Sequence, residues 1–263
     1  MQNKDYENRG DLKISGSGSA GGGNYNNVKI SGSGKIDGDI DCSTIAISGS
    51  GKIGGGIVAE RVKISGSAKI TGNVKAEEVR VSGGASFGGD VEGDLIAISG
   101  SSKIVGSLIA KEVSVSGSLS LENKLEGEDI KLRGAMSCKS CEGESFDSDG
   151  AFKIDELLAA DTIQISLRGR CEAKEIGGSS IRVQESLMKK GIFQSLFGGF
   201  LDEGSLYADT IEGDEIYLEN TKANTVRGAK VVIGSGCTIE NLEYKESLEV
   251  DEKSKVKTSA QIK

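Results

Sequence analysis

Apolar and polar positions along residues 28–132 follow a unit that recurs every 17 residues without interruption. Each unit opens on an aliphatic head: Ile30 begins ISGSGKI, Ile47 ISGSGKI, Ile64 ISGSAKI, Val81 VSGGASF, Ile98 ISGSSKI and Val115 VSGSLSL. The residues 6, 10 and 15 places after a head are apolar again: Ile36, Ile40 and Ile45 after Ile30, and Ile53, Ile57 and Val62 after Ile47. Later heads supply Ile70, Phe87 and Ile104 at the six-place position. All 24 positions of this set, heads included, are Ile, Val, Leu or Phe.

Small residues fall between the apolar ones. They form a Ser-Gly-Ser-Gly run after the head, a column eight places on (Gly38, Gly55, Gly72, Gly89, Gly106, Asn123) and one twelve places on (Cys42, Ala59, Ala76, Gly93, Ala110, Gly127). Three apolar stretches alternating with three small-residue corners predict a triangular coil, because small residues permit tight turns and close backbone approach. Branched aliphatics alternating with Lys, Asp, Glu and Ser have the period of two of a strand with one buried face. One such unit cannot bury its apolar side alone, so successive coils must stack on a shared core. The expected fold is all-β: a parallel β-helix, three-faced, with 17-residue coils. Parallel crossovers are right-handed as a rule, so the expected solenoid is right-handed. Its core stacking columns are Ile30, Ile36, Ile40, Ile45, Ile47, Ile53, Ile64, Ile70, Phe87, Ile98, Ile104 and Val115.

Outside this block the pattern loosens. Residues 1–11 read as a flexible N-terminal tail, and residues 12–185 as β-helix, starting from a poorer coil headed by Ile14. Within it, residues 139–150 (KSCEGESFDSDG) break the pattern, with Glu142 where the ten-place apolar residue belongs, and predict an irregular loop. Residues 186–204 form an amphipathic aromatic insertion: Ile192, Phe193, Leu196, Phe197 and Phe200 have helical spacing, with Lys189 and Lys190 on the N-terminal flank. That segment is either a membrane or partner contact or an element folded over the solenoid. Residues 205–243 continue less regular coils, marked by LYADTI (206–211), which echoes LAADTI (158–163). Residues 244–263 read as a charged C-terminal tail.

Composition agrees with this reading. Gly is 39 of 263 residues and Pro is absent, as suits strands in which a proline would remove a ladder donor from its coil. A net charge of −8 argues against a nucleic-acid partner. The polar N-terminus lacks the apolar core of a signal peptide, so a cytoplasmic location is expected. Two charged columns run along the repeat: Lys35, Lys52, Lys69 and Lys103 five places after the head, and Glu60, Glu77, Asp94 and Glu128 thirteen places after it. They are either a recognition stripe or a solvated face that keeps the sheet soluble. The cysteines Cys138, Cys141, Cys171 and Cys237 are either buried free thiols or a thiolate zinc site.

No catalytic constellation is visible. His is absent, which removes the commonest general base and His-dependent triads, and the glycines of SGSG lead to no GK[ST] or helix. An enzyme is not expected, and no cofactor or metal is implied.

The K-I-x-G-x-I/V unit at residues 35–40 and 69–74, followed by a V-x-I/V-S-G strand and corner, resembles the repeat of the bactofilin family of polymer-forming bacterial cytoskeletal proteins. The resemblance spans residues 28–132 and, less closely, 150–185. It implies a right-handed three-faced β-helix that assembles end to end into nonpolar filaments without nucleotide. It also implies the inner membrane surface and other cytoskeletal or envelope proteins as partners besides self. This chain departs from the family pattern in its length, its 186–204 insertion and its lack of an N-terminal apolar motif, so a membrane role would move to Phe193, Phe197 and Phe200. The alternative is a monomeric solenoid that binds a protein or glycan on a flat β face.

Overall fold

The computed structural model describes residues 6, 8–186 and 204–263. The described residues form strands joined by tight turns, with no helix, and the pairings are parallel. The chain divides into two compact units, residues 1–129 with 136–138, and residues 130–135 with 139–263. Each is a β-solenoid.

In the first unit each regular coil contributes a short strand, such as Ser50–Ile53, and a longer one, such as Ile57–Ile64. Along the longer strand Ile57, Ala59, Val62 and Ile64 are buried. Alternation therefore slips once, at Glu60 and Arg61, where two successive side chains face outward and the chain bends. That bend, with the turns at 54–56 and 65–66, gives three straight segments per coil. Register between coils preserves the 17-residue period: Ile36 pairs with Ile53, Ile53 with Ile70, and Ile70 with Phe87. The heads form a second column, Ile30 to Ile47 to Ile64 to Val81 to Ile98 to Val115. Ile40 and Ile45 belong to two more, and all twelve core residues named from the sequence are buried.

The small residues play two parts that their size alone does not separate. In SGSG the first glycine (Gly32, Gly49, Gly66) turns the corner, whereas the second (Gly34, Gly51) lies in a strand and faces the core. The twelve-place column is not a corner either, since Cys42, Ala59 and Ala76 point inward beside the bend. The inward column at Gly34 and Gly51 enlarges along the unit through Ala68, Ala85, Ser102, Leu119 and Met136. At the N-terminal end the supposed tail is partly ordered. Tyr6 is buried, the Arg9 guanidinium lies 4.7 Å from its ring centroid, and Arg9 pairs with Asp41 at 2.8 Å.

The second unit corrects three expectations. Residues 139–150 are not an irregular loop: Ser140–Ser148 is a strand in which Cys141, Phe146 and Ser148 pair with Leu158, Ile163 and Ile165. The preceding turn is one residue short, so buried Cys141, not Glu142, takes the apolar position, and the next head is Ser148. Residues 244–263 are not a tail, because Thr238–Val250 and Lys255–Gln261 are paired strands. The echo of LAADTI in LYADTI misleads on register: Ile211 pairs with Ile176, in the column of Leu158, while Ile163 belongs with Ile181 and Ile216. Cys171 is buried and pairs with Phe152. Phe152 packs edge-on against Phe146, with ring centroids 5.5 Å apart.

Ser148 is a local defect in this core. It is fully buried in a column continued by Ile165, Val183, Leu218 and Ile233, and its hydroxyl has no hydrogen-bond partner among the described residues. Ser148→Val removes an unsatisfied polar group and adds apolar volume where the column is otherwise aliphatic, so it is expected to stabilise the second unit by about 1 kcal/mol. A rise in the urea midpoint with an unchanged slope would show it; a fall would mean that the site cannot accept the extra methyl.

Candidate assembly surface

Three surface features could mediate association: open strand edges, charged columns and grooves. The edges come first. Ser17–Asn24 pairs on one side only, with residues 33–41, and Leu12–Ile14 pairs only with Asn27–Ile30 among the described residues. The first of these strands, SGSAGGGN, carries no charged side chain. In the second unit Lys255–Gln261 pairs only with 238–244 among the described residues, and this edge displays Lys255 and Lys257, the kind of charge that blunts strand addition.

The charged columns lie on different parts of the first unit. Lys35, Lys52 and Lys69 are adjacent rungs, with Ser33, Ser50 and Ser67 in the neighbouring outward column. Between the columns runs a shallow groove of about 440 Å³, floored by Gly18, Gly34, Gly51 and Ala68. Lys35 is partnered by Asp37 at 2.7 Å and Lys103 by Glu122 at 2.9 Å, both carboxylates lying just past the face. The corresponding residues beside Lys52 and Lys69 are Gly54 and Thr71, so neither lysine has an ion pair among the described residues.

The acidic column occupies the bend after the ten-place strand. There Glu60, Glu77 with Glu78, Asp94, Glu112, and Glu128 with Asp129 place a carboxylate on each of five successive coils. The Lys111 ammonium, hydrogen-bonded to Asp94, holds that carboxyl below its ordinary value, and Asp94 in turn raises Lys111. Arg80 pairs with Glu78, whereas Glu77 and Glu112 have no ion pair among the described residues.

In the second unit a groove of about 530 Å³ includes Lys153, Arg170, Tyr207, Lys222, Asn224 and Glu240 in its lining. The Tyr207 ring is already engaged by the chain, with Arg170 on one neighbouring coil at 4.5 Å and Lys222 on the other at 5.3 Å. All five cysteines are buried and none is in a disulfide among the described residues, where no cluster of three or more potential metal ligands occurs either. Lys189, Lys190, Ile192, Phe193, Leu196, Phe197 and Phe200 lie outside the described residues. No helix among the described residues is long and apolar enough to cross a membrane.

Stacked parallel coils with an open, charge-free strand edge define a β-solenoid. Residues 4–92, about a third of the chain, match the family model of bactofilin, described as polymer-forming cytoskeletal. Two curated relatives from Bacillus subtilis are similar over the same order of length, both carried as uncharacterized proteins. YhbF is 42% identical over 89 residues, 34% of each chain, and YhbE is 41% identical over 111 residues, 42% of this chain and 45% of the relative. The match thus spans less than half of either relative. No solved structure gives a significant match.

Proposed function

We propose that the protein is a self-assembling scaffold whose copies pair end to end through solenoid edges, forming filaments or oligomers without nucleotide. The observation that carries this is the strand Ser17–Asn24, whose outer edge is unpaired among the described residues and free of charged side chains. An open edge of this kind leaves backbone N–H and C=O groups that a second copy can satisfy. A nonpolar polymer of the bactofilin kind needs no phosphate site, and among the described residues none of the glycine turns leads into a helix. Contact with the inner membrane face through Lys189, Lys190, Ile192, Phe193, Leu196, Phe197 and Phe200 belongs to the same proposal and rests on the sequence of that segment. Contacts with other cytoskeletal or envelope proteins belong to it as well.

The test is negative-stain electron microscopy of the purified full chain without added nucleotide, beside cosedimentation with anionic vesicles. Wild-type protein is expected to form filaments. Ala20→Lys is expected to abolish them while leaving the circular dichroism spectrum unchanged. Ala20 pairs with Ile36 in the outermost layer, so a lysine there reaches water in the monomer but is trapped between two copies in a polymer. Filaments undiminished by Ala20→Lys would move the contact away from this edge, and a monodisperse wild-type monomer would sink the scaffold. The monomeric alternative, a module that binds a protein or glycan, has the second unit's groove in its favour.

A further inference from the structure

We propose that the first unit also associates side by side, with the lysine groove of one copy receiving the acidic bend of another. This rests on the reading of the protein as a self-assembling scaffold, but uses the flank of the solenoid and not its ends.

Lys35, Lys52, Lys69 and Lys103 occur at the interval of one coil, with a serine replacing lysine at residue 86. Glu60, Glu77, Asp94 and Glu128 recur at the same interval because the same coils carry them, with Lys111 at this position in the fourth coil and Glu112 beside it. Both series extend over four coil steps, about 19 Å at ~4.8 Å per step. A second copy of this chain is therefore a partner whose charges share the coil spacing of the lysine ladder. A lipid headgroup surface or a flexible polyanion has no such fixed repeat, and both would meet a chain of net charge −8.

Shape agrees with charge. The lysines stand on one side of a shallow groove with short serines on the other, whereas the acids project from a bend where two consecutive residues face outward. A convex ridge thus faces a concave strip. Each member also has unused capacity: Lys52 and Lys69, on adjacent coils of the groove, and Glu77 and Glu112, two coils apart on the ridge, lack ion pairs among the described residues. A single exposed ion pair contributes little, so one pair of subunits binds weakly. Along a polymer the rungs act together and the contact becomes multivalent. The surfaces differ, so the contact does not close on itself, and it generates bundles or sheets. Because the charges are exposed, salt should dissolve these assemblies as the screening length shortens.

The experiment compares full-length wild type, Lys52→Glu/Lys69→Glu and Glu77→Lys/Glu112→Lys at 20 mM and at 300 mM salt (about 20 Å and 6 Å of screening). Filament width is read by negative stain and association by sedimentation velocity. All four positions are on the surface, and circular dichroism checks the fold. Wild type is expected to bundle at low salt and separate at high salt. Each reversed variant alone should weaken lateral association at least about tenfold, equivalent to about 1.4 kcal/mol. An equimolar mixture of the two should restore it, because each then offers the other its original complement. Unchanged bundling in either variant, or no restoration in the mixture, overturns the proposal. So does a lysine reversal that abolishes binding to anionic vesicles yet leaves self-association intact. If end-to-end filaments never form, the scaffold reading fails on its own terms. Salt-sensitive lateral dimers, lost in each variant and regained in the mixture, would still uphold this contact.

Discussion

Gly66→Ala is expected to destabilise the first unit by about 3 kcal/mol, whereas Gly84→Ala, one coil on, should be neutral or stabilising by about 0.5 kcal/mol. Gly66 turns the corner after the head Ile64. A Cβ there would overlap the Gly49 carbonyl oxygen of the preceding coil and come within 2.7 Å of the Ser48 carbonyl carbon. The Gly49 oxygen cannot turn aside cheaply, because it accepts a hydrogen bond from the Ser67 N–H at 2.8 Å. The clash is with backbone on a ladder that is bonded above and below, so relief requires moving a whole coil. Gly84 occupies the outward column of Ser50 and Ser67, and a Cβ there meets nothing closer than the Ser67 hydroxyl at 3.9 Å. Alanine at this position reduces the freedom of the unfolded chain without strain. Urea unfolding of the two variants beside wild type decides the matter. Equal midpoints for Gly66→Ala and wild type would mean that the coils can separate at the corner.

These two glycines also mark how far sequence alone could reach. Periodicity found the columns because Ile30, Ile47 and Ile64, or Ile36, Ile53 and Ile70, repeat at a fixed interval in both sequence and space. It could not separate a glycine that turns a corner from one that faces the core or the solvent, since all three look alike without a side chain. Counting at fixed period also fails wherever a turn gains or loses a residue. One missing residue before Cys141 made a regular strand look like a loop, and altered turn lengths put Ile211 in the column of Leu158 and not in that of Ile163. The last strand, Lys255–Gln261, was invisible for a different reason. It closes the described solenoid and its residues stay exposed or half-buried, so no apolar alternation exists to detect. The candidate surface was half legible. The lysine and acidic columns can be counted in the sequence, but the groove between Ser and Lys, and the missing partners of Lys52 and Lys69, depend on which residues face outward in neighbouring coils.

Stability is expected to fall sharply above pH 9, and Cys42→Ala should flatten that fall in the first unit. Burial pushes the Cys42 thiol up from 9.0 to about 12; the neighbouring Asp41 carboxylate adds to this, and Arg9 opposes it. Cys171 in the second unit is raised to about 12, again chiefly by burial, with a backbone hydrogen bond acting the other way. Below the unfolded value of 9.0 the thiol is protonated in both states and the full stability is present. Between there and about 12 the unfolded chain releases a proton that the folded chain retains, so stability declines with rising pH. At ~1.4 kcal/mol per unit of separation, each thiol costs up to about 4 kcal/mol at the top of the window. Cys237, raised mainly by burial, adds to the effect in the second unit. Lysines and tyrosines titrate in the same range, so the difference between wild type and Cys42→Ala isolates the thiol. Alanine suits the site because the same inward column holds Ala59 and Ala76, both fully enclosed. Urea midpoints at pH 8, 9, 10 and 11 should diverge between the two proteins from pH 9 upward, the variant ending the more stable. Parallel curves over that range would show that Cys42 reaches water in the folded protein, and the first unit would then lack the tight interior that its stacked columns imply.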